Sequence, residues 1–127
     1  MQHRTGLDRP LCGLWVLIAD DEFLIAVTLE ETLRDAGADI VSASTLSAAL
    51  DRANREALSA ALLDVRLGRD TTETVADVLA RRAVPFVFYT GQSLPESIRK
   101  KHPNAPVLIK PVRQEAFVDA IYRIVPR

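Results

Sequence analysis

Short, continuous apolar runs alternate with amphipathic stretches along most of the chain, and this alternation limits the fold more than any other feature. Leu14-Trp15-Val16-Leu17-Ile18-Ala19 is a run of strand length with no polar face, as a strand covered on both sides requires. From Glu22 to Ala36 the apolar positions Ile25, Leu29, Leu33 and Ala36 recur at helical spacing, and Gly37 supplies a stop. Asp39-Ile40-Val41-Ser42-Ala43 reads as a second strand, and Leu46, Ala49, Leu50, Ala53 and Ala57 mark a second amphipathic helix. Ala60-Ala61-Leu62-Leu63-Asp64 is a third apolar run, this one ending on an acid. Asp70 and Glu73 have the spacing of a capping box ahead of a third helix that turns Val75, Val78 and Leu79 inward. Pro85-Phe86-Val87-Phe88-Tyr89-Thr90 and Pro106-Val107-Leu108-Ile109-Lys110 supply strands four and five. Between them, Ser93 and Glu96 suggest another capping box on a short helix reaching about Lys101, with Pro95 tolerated in its first turn. The closing helix carries Phe117, Ala120, Ile121 and Ile124 on one side. Five strands alternating with five helices predict an α/β fold, a parallel sheet covered on both faces.

Size and charge narrow the function classes. At 127 residues, 48% of them apolar, the chain fits one domain around one core, so a separate DNA-binding or enzymatic output domain is expected to be missing. Residues 1–13 mix charge, Pro and Gly without a period and are expected to form a flexible leader, with the folded domain at 14–127. Sixteen basic against seventeen acidic residues leave a net charge of −1, which predicts no nucleic-acid partner. Cys12 has no cysteine to pair with, and His3 and His102 are isolated and expected in solvent. No segment has the length to span a bilayer, so no membrane association is expected and a cytoplasmic protein is the default.

In sheets of this kind ligands bind beyond the carboxyl ends of the strands. Those ends carry Asp20 and Asp21 on the first strand, Asp64 on the third, Thr90 on the fourth and Lys110 on the fifth. Taken singly, an Asp after a strand is a turn former or helix cap, and a Lys or Thr there is a solvated side chain. Together they form a set. Three carboxylates on one edge repel unless a cation sits among them, and oxygen ligands without His or Cys favour Mg2+. A carboxylate can attack phosphorus once Mg2+ offsets the charge of the incoming group. Lys110 suits one phosphoryl oxygen and Thr90 another. The chemistry is that of a phosphoryl acceptor.

Four motifs, in order and at matching spacing, resemble the receiver domains of bacterial two-component signalling. They are Val16-Leu17-Ile18-Ala19-Asp20-Asp21-Glu22, Leu62-Leu63-Asp64, Tyr89-Thr90-Gly91 and Ile109-Lys110-Pro111, and the resemblance runs from Leu14 to the end. It implies a flavodoxin-like doubly wound (βα)5 fold with strand order 2-1-3-4-5. It makes Asp64 the phosphoacceptor and gives Mg2+ to Asp21, Asp64 and the backbone carbonyl of Arg66, with Asp20 acting through a metal-bound water. Thr90 and Lys110 would contact the phosphoryl group, and the Lys110–Pro111 peptide would be cis. Phosphoryl groups would come from a histidine kinase or a phosphotransfer protein, and a downstream protein would read the result. Pro85-Phe86-Val87-Phe88-Tyr89-Thr90-Gly91 is similar to the stand-alone subgroup nicknamed FATGUY, associated with HWE-type or HisKA2-type kinases, although Tyr89 stands where the nickname has alanine. Gly68 replaces the commoner proline of the loop after the acceptor, and Val107 stands where the family's aromatic switch residue is expected. Without that ring, the readout is expected in the segment Gly91 to Ala105, with Gly91, Gln92, Leu94, Ile98 and Val107 as its switch region.

Two other classes compete. A small Mg2+-dependent phosphatase similar to haloacid dehalogenases would also use an aspartyl nucleophile, but that family wants it in an Asp-x-Asp pattern after strand one, which Asp20-Asp21-Glu22 lacks. A receiver serving only as a non-phosphorylated docking module would have no use for Asp64, Thr90 and Lys110 together. Whether a receiver of this kind carries a message or acts as a phosphate sink is left open by the sequence.

Overall fold

The computed structural model describes residues 9–126. Among them run strands β1 (Trp15–Ala19), β2 (Asp39–Ala43), β3 (Ala60–Asp64), β4 (Arg66–Leu67), β5 (Asp70–Thr71), β6 (Phe86–Thr90) and β7 (Val107–Ile109). The helices are α1 (Phe23–Asp35), α2 (Leu46–Arg55), α3 (Glu73–Arg81), α4 (Glu96–Lys101) and α5 (Gln114–Ile124). Five strands form one sheet in the order β2-β1-β3-β6-β7, and all four pairings are parallel. With the two-residue hairpin β4–β5 set aside, this is the expected order 2-1-3-4-5. The order reverses between β1 and β3, so the carboxyl ends of those two strands flank a crevice.

Strand residues alternate between two cores, as side chains of period two must. Leu17, Ala19, Leu63 and Phe88 pack with α2, α3 and α4. Val16, Ile18, Leu62, Val87 and Tyr89 pack on the opposite face with α1 and α5. The helical spacing read from sequence delivers Leu29 and Leu33 of α1, Val75, Val78 and Leu79 of α3, and Phe117 and Ile121 of α5 to these cores. Ala57, expected on the inner face of α2, lies beyond that helix and is exposed.

Four expectations are corrected. Leu11, placed in the flexible leader from sequence, is fully buried, and its N–H donates to the Ala36 carbonyl at 2.8 Å. Gly37 (φ +106°) lets this turn approach, since a Cβ there would sit 2.8 Å from the Cys12 nitrogen. Residues 1–8, His3 included, lie outside the described residues. Neither capping box forms. The chain reverses at Gly68 (φ +64°), Asp70 pairs in the hairpin, and α3 is entered from Thr72. The Thr72 hydroxyl turns inward to the Asp64 carbonyl at 2.9 Å instead of capping the helix. Pro95, which has no side-chain acceptor to offer, is the N-cap of α4. His102 is not in solvent either. Its ring meets Phe86 edge-on at 5.2 Å between centroids, and Nε2 lies 2.9 Å from the Asp77 carboxylate.

Candidate functional site

The strand ends bring Asp20, Asp21, Asp64, Thr90 and Lys110 to one edge of the sheet. A cavity of about 320 Å³ opens there, lined by Asp21, Glu22, Asp64, Arg66, Thr90, Gly91, Gln92 and Lys110. Asp20, Asp64 and Thr90 are buried, whereas Asp21 is exposed at the rim.

Each side chain is held by a specific neighbour. Asp64 Oδ1 accepts the Arg66 N–H at 3.2 Å, and Oδ2 accepts from Lys110 Nζ at 3.2 Å. Asp21 Oδ2 accepts the Gly68 N–H at 3.0 Å, a donor that a proline there would lack. Asp20 takes the Glu22 N–H on Oδ1 at 2.8 Å and the Tyr89 hydroxyl on Oδ2 at 2.7 Å. The Thr90 hydroxyl accepts the Gln92 N–H at 3.1 Å. Lys110 also lies 3.8 Å from Glu22 and 5.2 Å from the centre of the Tyr89 ring. The Lys110–Pro111 peptide is cis, as expected.

The charges do not balance. Burial pushes the Asp64 carboxyl above its ordinary range; Lys110 pulls it back and Asp20 adds to the rise, leaving it raised overall. Burial and the nearby Asp20 charge drive the Tyr89 hydroxyl far upward, so it stays a donor. Carboxylate oxygens of Asp20, Asp21 and Asp64 all lie within 4.8 Å of one another. Such an all-oxygen set with one acid at the rim fits a hard divalent cation that keeps part of its water.

Of the expected switch residues, only Gly91 and Gln92 reach this cavity. Leu94 and Ile98 are buried in the core beneath α4, and the half-buried Val107 borders a separate hollow of about 420 Å³ shared with Arg99 and His102. Tyr89 was missed as a site residue. Its signal was available: a hydroxyl-bearing ring at the end of a buried apolar strand needs a partner.

Residues 16–122 match the family model of the response regulator receiver domain. The chain belongs to that family. No curated protein matches the sequence. Among solved structures, a response regulator receiver protein from Sinorhizobium medicae is 24% identical, with a TM-score of 0.79 over 87% of this chain and 92% of that one. A CheY-like receiver domain protein from Methanospirillum hungatei is 20% identical, with a TM-score of 0.78 over 89% and 92% of the two chains. A response regulator from Burkholderia pseudomallei, solved with a phosphorylated aspartic acid, calcium ion and citrate, is 23% identical, with a TM-score of 0.74 over 85% and 66%. Receiver domains are phosphorylated by histidine kinases and are not enzymes of the ordinary kind. This one carries the acidic pocket of Asp20, Asp21 and Asp64 suited to a phosphorylatable aspartate. Among the described residues, no helix is long and apolar enough to cross a membrane.

Proposed function

We propose that this receiver takes a phosphoryl group onto Asp64 from a histidine kinase or phosphotransfer protein, with Mg2+, and acts in the cytoplasm as a stand-alone switch or phosphate sink. The observation that carries this reading is the setting of Asp64. Its carboxylate faces the cavity, bonded at one oxygen to Lys110 and crowded by two further acids. Asp21, Asp64 and the Arg66 carbonyl would hold the cation, with Asp20 acting through a bound water. The cation would offset the negative charge that the phosphoryl group brings. A bond forms between an Asp64 oxygen and phosphorus while the donor's bond to phosphorus breaks, and the electron pair leaves with the donor. The new charge lies where Lys110 and Thr90 can meet it: the ammonium already on Asp64 follows it, and the Thr90 hydroxyl donates to a second oxygen. The solved regulator with phosphorylated aspartic acid and calcium gives this chemistry a precedent on the same fold.

The Phe86-Val87-Phe88-Tyr89-Thr90-Gly91 stretch supports membership of the FATGUY subgroup, and with it an HWE-type or HisKA2-type kinase as donor. The test uses acetyl phosphate with Mg2+. Intact mass should show a single added phosphate, and Asp64→Asn should show none. Undiminished labelling of that variant overturns the assignment.

A further inference from the structure

Tyr89 sits where two halves of the site meet. Its hydroxyl donates to Asp20 Oδ2 at 2.7 Å, and the Lys110 ammonium lies 5.2 Å from its ring centre. Asp20 is only 2% exposed, so water does not readily replace a donor lost there. Its other oxygen is fixed by the Glu22 N–H. The carboxylate is therefore clamped at both oxygens, in one orientation, beside two other acids. Without the hydroxyl, Oδ2 must turn toward another donor. That rotation withdraws an acceptor from the set within 4.8 Å that faces a cation.

We infer that Tyr89 is a positioning residue for divalent-cation binding, acting through Asp20, while its ring carries Lys110. This rests on the reading of the site as an Mg2+-dependent phosphoryl acceptor. Partners that orient metal-binding carboxylates commonly change affinity by an order of magnitude. Tyr89→Phe keeps the ring and removes only the donor. Its Mg2+ affinity, measured by calorimetry, should fall roughly tenfold. In the Mg2+-free protein the Glu22 amide resonance should shift, because its acceptor has moved. Labelling by acetyl phosphate should slow at low Mg2+ and return to the wild-type rate when Mg2+ is saturating, since Asp64, Thr90 and Lys110 are untouched. In an Asp20→Asn background the same change should have no further effect on Mg2+ affinity.

A Tyr89→Phe protein that binds Mg2+ like the wild type and only melts earlier makes Tyr89 a packing residue and overturns the inference. So does an affinity loss that persists undiminished in the Asp20→Asn background. A wild-type protein with no Mg2+ response overturns the proposed function instead, and this inference with it.

Discussion

Two acidic clusters in this molecule are built from the same side-chain types and balanced in opposite ways. At the strand ends, Asp21, Glu22 and Asp64 line one cavity with the Lys110 ammonium, Asp20 lies beside Asp21 and Asp64, and the most buried acid of the cavity lining is pushed upward in pKa. Between α3 and α4, Glu73 and Asp77 are met by Lys101 at 2.7 and 3.0 Å, by the Ser97 hydroxyl and by the ring of His102. The Lys101 bond holds Glu73 below the ordinary carboxylate range. Burial pushes Asp77 up, but hydrogen bonds from His102 and Lys101 outweigh it and leave that acid low as well. The first cluster carries more negative charge than Lys110 offsets, as the proposed cation site requires; the second is satisfied within the protein. On the proposed reading one is a binding site, and the other is a strut. Removing a carboxylate should therefore have opposite consequences in the two places.

The largest expected effect is at the binding site. Asp21→Asn keeps an acceptor for the Gly68 N–H but removes a charge. Mg2+ affinity should fall by at least about tenfold, and labelling by acetyl phosphate should disappear at Mg2+ levels that serve the wild type. The Mg2+-free protein should melt no earlier than wild type, because repulsion has been relieved. An unchanged Mg2+ affinity in a titration removes Asp21 from the site.

Asp77→Ala tests the strut and should act in the other direction on stability. It strands the His102 Nε2–H, which is largely buried, and leaves Lys101 with one carboxylate fewer. A loss of about 1–2 kcal/mol is expected, seen as a fall in Tm of about 5 °C, with Mg2+ affinity unaffected. A variant as stable as the wild type breaks the comparison.

The same contrast gives pH dependences of opposite sign. Glu73 and Asp77 are depressed in the folded protein, so their contribution is full above their unfolded pKa values and is lost as pH falls through the folded ones. Asp64 is raised, so in Mg2+-free protein its contribution favours folding at low pH and is lost as pH rises through its folded pKa. Denaturant midpoints across the acid range should show Asp64→Asn gaining on the wild type as pH rises. Asp77→Asn should fall behind it. Parallel curves for the two variants contradict the assignment of one cluster as strained and the other as satisfied.

What the sequence disclosed follows from this physics. Strand β3 was legible to the residue, because a strand buried on both faces is apolar until Asp64 ends it; β2, at the sheet edge, was legible from its short apolar pair Ile40-Val41 between Asp39 and Ala43. The edge-forming acids, Thr90 and Lys110 were legible because topology alone brings strand ends together. Features made by distant contacts were not. Leu11 buries itself in a four-residue turn, 10–13, too short to show a period. Asp70 and Glu73 carry the spacing of a cap, yet the chain reversal at Gly68 spends Asp70 on a hairpin. His102 looked isolated because Phe86 and Asp77, its partners, are 16 and 25 positions away. Tyr89 reaches across 69 positions to Asp20.

The smallest effect concerns the segment that joins the two clusters. From sequence, the readout of Asp64 modification was expected in the segment Gly91 to Ala105. The two clusters grip it unequally. Its start, Gly91 and Gln92, lines the acceptor cavity, and the Gln92 N–H bonds the Thr90 hydroxyl. Its end is fastened to α3 by Lys101 and His102, with Ile98 fully buried behind them. If, as proposed, the Thr90 hydroxyl turns to a phosphoryl oxygen, the Gln92 N–H that bonds it is the first group of the segment to feel the change. A helix of six residues has little intrinsic stability, so what holds α4 is the strut, and the strut does not touch Asp64. Hydrogen exchange with and without beryllofluoride, a phosphoryl mimic, should change protection at Gln92 to Leu94 and leave Arg99 to His102 as they were. In Asp77→Ala the change should spread through α4. Protection that alters along the whole segment in the wild type would show that the strut yields, and that both clusters move as one.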